Sequence, residues 1–303
     1  MPEVIVVGDV DTDQFYLVPH LPGWDEGVLV DESYECPGGK GGNTAAALSK
    51  YGVQTGIIAS AGDDHYGEVA VRGLKQNGVD LSGLIILPGG KTYYCIMMLD
   101  PSGEKALLVV RTNLIYPTFK MVLGKQEYLR SARHVHFIGI NPAQIGESLS
   151  LAKKLGLSIS VDLDAAYQGL EASISLIEQA DVVLVNRMGA ERLYPGAAYR
   201  DVAVALQSLG PSIVVVTAGR NGAIGYDRSS VIEVPAFKVN AVDTTGAGDV
   251  FSAGIVFGYL RGWELRTSLI FASAAAAMST AAIGGQNALP AEAAVRDFIK
   301  SNS

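Results

Sequence analysis

Short runs of β-branched and aliphatic residues alternate along this chain with longer segments of helical periodicity that end in glycine. Six of the short runs have the composition of strands buried on both faces: VIVVGDV, TGIIAS, VHFIGI, LSISVDL, DVVLVN and SIVVVTAG. The helical segments between them include NTAAALSKYG, YGEVAVRGLKQNG, IGESLSLAKKLG and DVAVALQSLG. Repeated strand–helix–strand order permits few folds, and it predicts an α/β protein with a mainly parallel sheet and right-handed crossovers.

Two segments interrupt this alternation, at residues 14–36 and 91–113. Each is typical of two strands joined by a turn, and DPSGEK is the expected hairpin turn of the second segment. Extended pairs inserted into an α/β chain predict a small separate sheet. Because ligands bind beyond the carboxyl ends of parallel strands, this small sheet is expected either to cover a ligand or to form an oligomer interface.

The composition limits the classes of function. A chain of 303 residues with 49% hydrophobic residues suits one large α/β domain, or a domain with a small appendage. A net charge of −8 argues against nucleic acid or an anionic membrane as a partner. Two unpaired cysteines, Cys36 and Cys95, argue against a disulfide framework or zinc site and favour the cytoplasm. The N-terminus lacks the pattern of a signal peptide, and LIFASAAAAMSTAAIGG is interpreted as a buried helix.

The segment GAGDVFSAGIVFGYLRG has the features of a helix start. Asp249 begins its apolar periodicity, and Gly246 and Gly248 come just before. The first amide groups of a helix lack internal partners and carry the positive end of the helix dipole, so they can bind a phosphoryl group. The alternative is that Asp249 only caps the helix.

Two motifs resemble a known family. DTTGAGDVF is similar to the C-terminal signature of the ribokinase-like (PfkB) carbohydrate kinases, and PGGKGGNTAAALSKYG is similar to their N-terminal signature. The two motifs occur in the family's order, and the resemblance covers essentially the whole chain. It implies a ribokinase-like three-layer α/β/α fold, with residues 1–303 as a single kinase domain and a small β-sheet lid formed by about 14–36 and 91–113.

The resemblance also implies an activity. The expected reaction is ATP-dependent phosphorylation of a primary hydroxyl of a pentose or ketohexose-like sugar, with Mg²⁺ required. Asp249 would be the catalytic base that accepts the proton of the sugar hydroxyl. Gly246, Ala247 and Gly248 would form the anion hole for the transferred phosphoryl group.

Further positions follow from the same resemblance. Residues that match the sugar-binding positions are Asp11, Asp13, Gly38, Gly39, Lys40 and Asn43. Residues that match the nucleotide-binding positions are Asn186, Thr217, Ala218, Gly219, Arg220, Asn221, Gly222, Gly248 and Ser273. The resemblance also implies a monovalent cation such as K⁺, which many members of the family use, and the matching residues are Asp243, Thr245, Ser279, Ala282, Gly284 and Ala288.

Three departures from the family pattern affect these expectations. Ala288 stands where ribokinases often have a serine, which puts the cation site in doubt. Gly189 stands where a glutamate usually helps to organise Mg²⁺, so either Glu191 substitutes or the metal is held more loosely. FIGINPAQ lacks the glutamate that contacts ribose in ribokinases, which suggests a sugar other than ribose.

Two alternative functions remain open at this point. A nucleoside or sugar-phosphate kinase of the same fold is one, and the cations available for a substrate phosphate are Lys40, Lys91 and Arg111. A non-catalytic regulator that binds sugar or nucleotide is the other. His134 and His136 share one face of a strand, where packing is favoured over a metal pair. The lid is expected to pair with that of a second subunit in a homodimer.

Overall fold

A computed structural model describes residues 1–101, 105–138, 142–164 and 169–302. The strands in this part of the chain are β1 (Val4–Val7), β2 (Asp11–Leu17), β3 (Glu32–Gly38), β4 (Thr55–Ile58), β5 (Ser60–Gly62), β6 (Ile85–Leu87), β7 (Tyr94–Leu99), β8 (Lys105–Val110), β9 (His134–Ile138), β10 (Ser158–Asp162), β11 (Val182–Asn186), β12 (Ile213–Thr217), β13 (Ala223–Tyr226) and β14 (Val231–Val234). The helices are α1 (Lys40–Lys50), α2 (His65–Gln76), α3 (Phe119–Gly124), α4 (Gln126–Arg130), α5 (Pro142–Lys154), α6 (Gly169–Ile177), α7 (Arg187–Leu193), α8 (Tyr199–Gln207), α9 (Ala247–Leu260), α10 (Leu265–Ser279) and α11 (Glu292–Ser301).

The large sheet has the strand order β14-β13-β12-β11-β10-β9-β1-β4. Its six strands from β12 to β4 run parallel, and β13 and β14 continue it in antiparallel pairing. All six predicted strands lie in this parallel part, which confirms the mainly parallel sheet. The strands are rich in valine and isoleucine because both of their faces are covered.

Helices cover both faces of the large sheet, as the side-chain alternation of β1 shows. Ile5 and Val7 pack into one core with residues of α3 to α8. Val4 and Val6 pack into another core with residues of α1, α2, α9, α10 and α11. The alanine-rich segment forms the buried helix α10, which packs on α9, so its interpretation as a buried helix is confirmed. Within the described residues, no helix is both long and apolar enough to cross a membrane.

The two inserted segments form a second sheet of four strands in the order β3-β2-β7-β8. The pairs β2–β3 and β7–β8 are antiparallel, and β2 joins β7 in parallel. This arrangement confirms a small separate sheet, whose first strand begins at Asp11, three residues before the expected start. Residues 102–104 of the expected DPSGEK turn lie outside the described residues.

The buried histidines of β9 contact serine hydroxyls. His134 Nδ1 lies 2.7 Å from Ser158 Oγ, and its Nε2 lies 2.8 Å from Ser160 Oγ. His136 Nδ1 lies 2.8 Å from the same Ser160 hydroxyl. These contacts support packing in the sheet rather than metal binding.

Candidate active site

The candidate site lies where the carboxyl ends of β1, β10 and β11 meet the first turns of α1 and α9. In an open α/β sheet this edge is the usual place for a ligand. The small sheet starts at the same edge, because β2 begins four residues after β1 ends. Residues from both signature motifs are therefore brought together with acids from the strand ends.

Asp9 holds the first turn of α1 in place. Its carboxylate accepts hydrogen bonds from the N–H groups of Lys40 (3.1 Å) and Gly41 (2.9 Å), and the Tyr93 hydroxyl also donates to it. Gly39 has a φ of +83°, and a Cβ atom there would lie 2.6 Å from Val10 Cα. The first glycines of GGKGGN therefore let the chain pass close to β1 while Asp9 fixes the helix start.

Asp249 lies buried in the first turn of α9. Asn43 Nδ2 donates to Asp249 Oδ2 at 2.8 Å, and Gln286 Nε2 donates to Asn43 Oδ1 at 3.2 Å. Burial raises the pKa of Asp249 to about 8, although the Lys40 ammonium and the Asn43 hydrogen bond act in the opposite direction. A carboxyl group with this pKa can accept a proton near neutral pH. The two signature motifs, 206 residues apart, thus meet in one hydrogen bond.

The turn before α9 is shaped for an anion. Gly246 is left-handed, with φ 75° and ψ −6°, and a Cβ atom there would lie 2.7 Å from Gly285 Cα. The Ala247 N–H bonds to Thr244 O at 3.3 Å, so it is already engaged. Among the described residues, no acceptor binds the N–H of Gly248, and its Cβ position faces open space. This amide at the start of α9 is placed to bind a negatively charged group.

Lys40 connects α1 to the end of β10. Its ammonium forms an ion pair with Asp164, and Asn186 Nδ2 donates to the same Asp164 oxygen at 3.1 Å. Asp162, two residues earlier, accepts from the Ser252 hydroxyl of α9 at 2.8 Å. The carboxylates at 162, 164 and 249 raise the pKa of Lys40 despite its burial. Sequence reasoning missed Asp162 and Asp164, although VDLD, like GDVDTD, has alternating acids that follow an apolar run.

Asp11 and Asp13 lie side by side at the start of β2, both buried. A Cβ atom at Gly38 would lie 2.3 Å from Asp11 Oδ1 and 2.5 Å from Asp13 Oδ2, so only glycine leaves room for both carboxylates. Cys95 Sγ donates to Asp11 Oδ2 at 3.2 Å, whereas Asp11 Oδ1 is buried without a partner among the described residues. Burial and the neighbouring acids raise the pKa of Asp11 well above its usual range and that of Asp13 to about 7. An unpartnered buried oxygen suits a ligand hydroxyl.

The residues expected to bind the nucleotide are only partly brought together. Thr217–Gly222 forms a tight turn at the end of β12, with Gly219 and Gly222 at positive φ and the Ala218 N–H bonded to Gly222 O at 2.8 Å. Asn186 lies at the end of the neighbouring strand, and its Oδ1 accepts from the Gly189 N–H at 2.8 Å. Ser273 is buried in α10, on a different element.

The expected cation residues lie on two adjoining loops. Asp243 Oδ1 accepts from the N–H and hydroxyl of Thr245 at 3.0 and 2.7 Å, and Oδ2 accepts from the Gly284 N–H at 3.0 Å. Ser279 ends α10, and its hydroxyl bonds to Ala276 O at 2.9 Å. The remaining two residues of the expected set, Ala282 and Ala288, lie in the loop that follows α10.

The departures seen in the sequence have structural counterparts. Glu191 Oε1 accepts from the Gly196 N–H at 3.0 Å, so its carboxylate holds the turn after α7. One of its two carboxylate oxygens is therefore engaged within its own segment of the chain. Oxygen ligands that Mg²⁺ prefers are nevertheless present nearby, in Asp164 and Asn186. Gly139, Ile140 and Asn141, at the centre of FIGINPAQ, lie outside the described residues.

The family model described as pfkB family carbohydrate kinase matches residues 1–292. The chain belongs to this family. It is 30% identical over 302 residues to a protein of Halopiger xanaduensis named ATP-dependent ribose-1-phosphate kinase, and the match covers 97% of each chain. It is 29% identical to the probable fructokinase-5 of Arabidopsis thaliana, covering 91% of this chain and 93% of that one.

A solved structure shows the same fold. The putative ribokinase from Agrobacterium tumefaciens has a TM-score of 0.87 with this chain, at 23% identity, and the match covers 99% of this chain and 98% of that one. The ribokinase-like fold expected from the two signature motifs is therefore confirmed. As a pfkB family member, the protein is a carbohydrate kinase.

Proposed function

We propose that this carbohydrate kinase transfers the γ-phosphoryl group of ATP to a primary hydroxyl of an unphosphorylated pentose or ketohexose-like sugar. The observation that carries the proposal is the buried carboxylate of Asp249, next to the Gly248 N–H at the start of α9, which has no acceptor within the part of the chain that the structure describes. A group that accepts a proton and a group that binds an anion lie in one helical turn. Phosphoryl transfer to an alcohol needs both of them.

The proton moves from the sugar to Asp249. The sugar lies over Gly38, where the paired carboxylates of Asp11 and Asp13 accept its hydroxyl hydrogens. Its primary hydroxyl then reaches Asp249, whose Oδ2 atom accepts a hydrogen bond from the Asn43 amide. Removal of the hydroxyl proton as the oxygen attacks phosphorus contributes about 10²–10⁴-fold to the rate.

The phosphoryl group is stabilised by this chain's amides and cations. The Gly248 N–H binds its equatorial oxygens at the start of α9, and the Lys40 ammonium approaches from α1. The rest of the nucleotide lies along the Thr217–Gly222 turn, with Asn186 near its phosphates and Ser273 near the adenine. Asp164 and Asn186 would hold Mg²⁺, which neutralises charge on the phosphates when bound.

The acids around the sugar site favour an unphosphorylated substrate. The negative charge of Asp13 raises the pKa of Asp11, and the negative charge of Asp243 raises the pKa of Asp13, so a second phosphate would add negative charge to a site that is already acidic. A sugar-phosphate kinase is the second candidate, because the Halopiger xanaduensis relative is named for ribose 1-phosphate. A panel of ribose, fructose, ribose 1-phosphate and adenosine separates the two, with ADP release as the readout.

We expect the highest kcat/KM with a free sugar. A preference of more than about tenfold for ribose 1-phosphate, equivalent to roughly 1.4 kcal/mol, would overturn the choice of substrate class. Sugar binding in a calorimeter without ADP release under any metal condition would overturn catalysis and favour a regulator.

The small sheet is proposed to act as a lid and a dimer interface. Its edge strand β8 exposes Leu107, Leu108 and Val109, and the β2–β3 connection exposes Trp24 and Leu29. Exposed apolar side chains on a free sheet edge favour association with a second copy. A monomer in sedimentation at micromolar concentration would exclude the homodimer, and unchanged hydrogen exchange in residues 92–112 on sugar addition would exclude the lid. The free thiols of Cys36 and Cys95 fit a cytoplasmic location.

A further inference from the structure

Lys105, the first residue of β8, reaches from the small sheet to the turn before α9. Its Nζ lies 3.1 Å from Thr245 Oγ1, 3.5 Å from Thr244 Oγ1 and 3.7 Å from Asp243 Oδ1. Its side chain is 35% exposed, whereas that of Asp243 is 1% exposed. The ammonium therefore covers a buried carboxylate that has little other access to solvent.

The carboxylate of Asp243 determines the shape of the anion-binding turn. Its two oxygens hold the Thr245 N–H on one side and the Gly284 N–H on the other. Gly246, with its left-handed backbone, follows directly and lies against Gly285. A change in charge at Asp243 would thus move the turn that leads into the amide of Gly248.

A buried negative charge beside a phosphoryl site must be compensated. Without a cation, the Asp243 carboxylate would oppose the negative charge that phosphoryl transfer brings to the start of α9. The family resemblance assigns this compensation to a monovalent cation. The residues here suit such an ion poorly, because Ala288 has no side-chain oxygen and an ammonium already lies near Asp243 Oδ1. A second cation there would be repelled by the first.

We propose that Lys105 is a positioning residue that supplies, from the lid, the positive charge otherwise provided by a monovalent cation. The inference rests on the proposed kinase function. The Lys105 ammonium also acts on Asp13, whose ionised form it favours. Because Lys105 belongs to the lid sheet, the charge is in place only when that sheet lies over the site. Lid position and the geometry of the anion-binding turn are then coupled.

The test compares Lys105→Met with the wild type and with Lys120→Met, an exposed lysine on α3. Activity is measured with the best sugar and the Tris salt of ATP, in choline chloride and in KCl of equal ionic strength. Wild type and Lys120→Met should change kcat by less than about twofold between the salts. Lys105→Met should lose about tenfold in kcat in choline chloride, as for the loss of one charged hydrogen-bond partner, and KCl should restore part of it.

A second readout needs no substrate. If K⁺ takes the place of the missing ammonium, KCl at ten times its Kd should raise the Tm of Lys105→Met by about 2 °C relative to choline chloride. The wild-type Tm should be the same in both salts. Because this arm involves no turnover, it remains informative if the protein proves not to phosphorylate sugars.

Three results would overturn the inference. One is a tenfold or greater increase in the kcat of the wild type on addition of K⁺, which corresponds to about 1.4 kcal/mol. Another is a Lys105→Met variant with wild-type kcat in choline chloride. The third is a variant that loses kcat but responds to K⁺ no more than the wild type does, in activity and in Tm.

Discussion

The pKa of Asp249 predicts a rising pH limb in the kinetics. Burial raises this pKa to about 8, and only the ionised carboxylate can accept the sugar proton. With a pKa near 8, roughly a tenth of the free enzyme is ionised at pH 7 and nine-tenths at pH 9. The kcat/KM for the sugar should therefore rise about tenfold between these pH values and level off above them.

Two substitutions should move this limb in opposite directions. The Asn43 amide donates to the Asp249 carboxylate and favours its ionised form, so Asn43→Ala should raise the pKa. Loss of a hydrogen bond to a charged group is worth about 1.5–3 kcal/mol, or roughly one to two pH units. The Asp162 charge disfavours ionisation of Asp249, so Asp162→Asn should shift the limb to lower pH.

The assay is kcat/KM for the sugar at saturating Mg²⁺ and ATP, from pH 6 to 9.5 at constant ionic strength. Overall activity falls in Asn43→Ala if this side chain also contacts the sugar, but the position of the limb is independent of that loss. A limb below pH 5, or limbs that coincide in the wild type and both variants, would refute the reasoning about Asp249.

Two further predictions concern packing and buried charge. Gly38→Ala would push Asp11 and Asp13 apart, so the KM for the sugar should rise about 10²-fold while the KM for ATP stays unchanged. The control is Gly124→Ala, which has open space at its Cβ position and should change neither KM. Burial lowers the pKa of His134 and His136 to about 3, so the unfolded chain binds protons below pH 6.5 before the folded protein does. Each histidine should therefore lower the unfolding free energy at pH 5 by about 2 kcal/mol. Urea unfolding at several pH values checks this, and a double His→Asn variant with the same pH dependence as the wild type would contradict it.

Much of the fold follows from local patterns in the sequence. The six parallel strands were predicted because continuous β-branched runs are typical of strands buried on both faces. The antiparallel strands β13 and β14 were not predicted. AIGY and VIEV are only four residues long and partly exposed, so neither gives a clear period. The helix α1 begins at Lys40, before the apolar run starts, because Asp9 from another element caps it.

Site residues that lie in a signature motif could be predicted from the sequence. Contacts between residues that are far apart in the sequence could not. Asp249 and Asn43 each lie in a signature motif, and the structure joins them directly. Asp164 meets Lys40 across 124 residues, and Lys105 meets Thr245 across 140 residues. No local spacing indicates such pairs, because they depend on strand order and on the position of the small sheet.

The central claim is that Asp249 accepts the sugar proton, and Asp249→Asn tests it most directly. Asparagine keeps the size of the side chain and can still contact Asn43, but it cannot take up a proton. Calorimetry should show ATP and sugar binding within a few-fold of the wild type, while single-turnover ADP formation falls by about 10²–10⁴-fold. Near-normal turnover with intact binding would contradict the account.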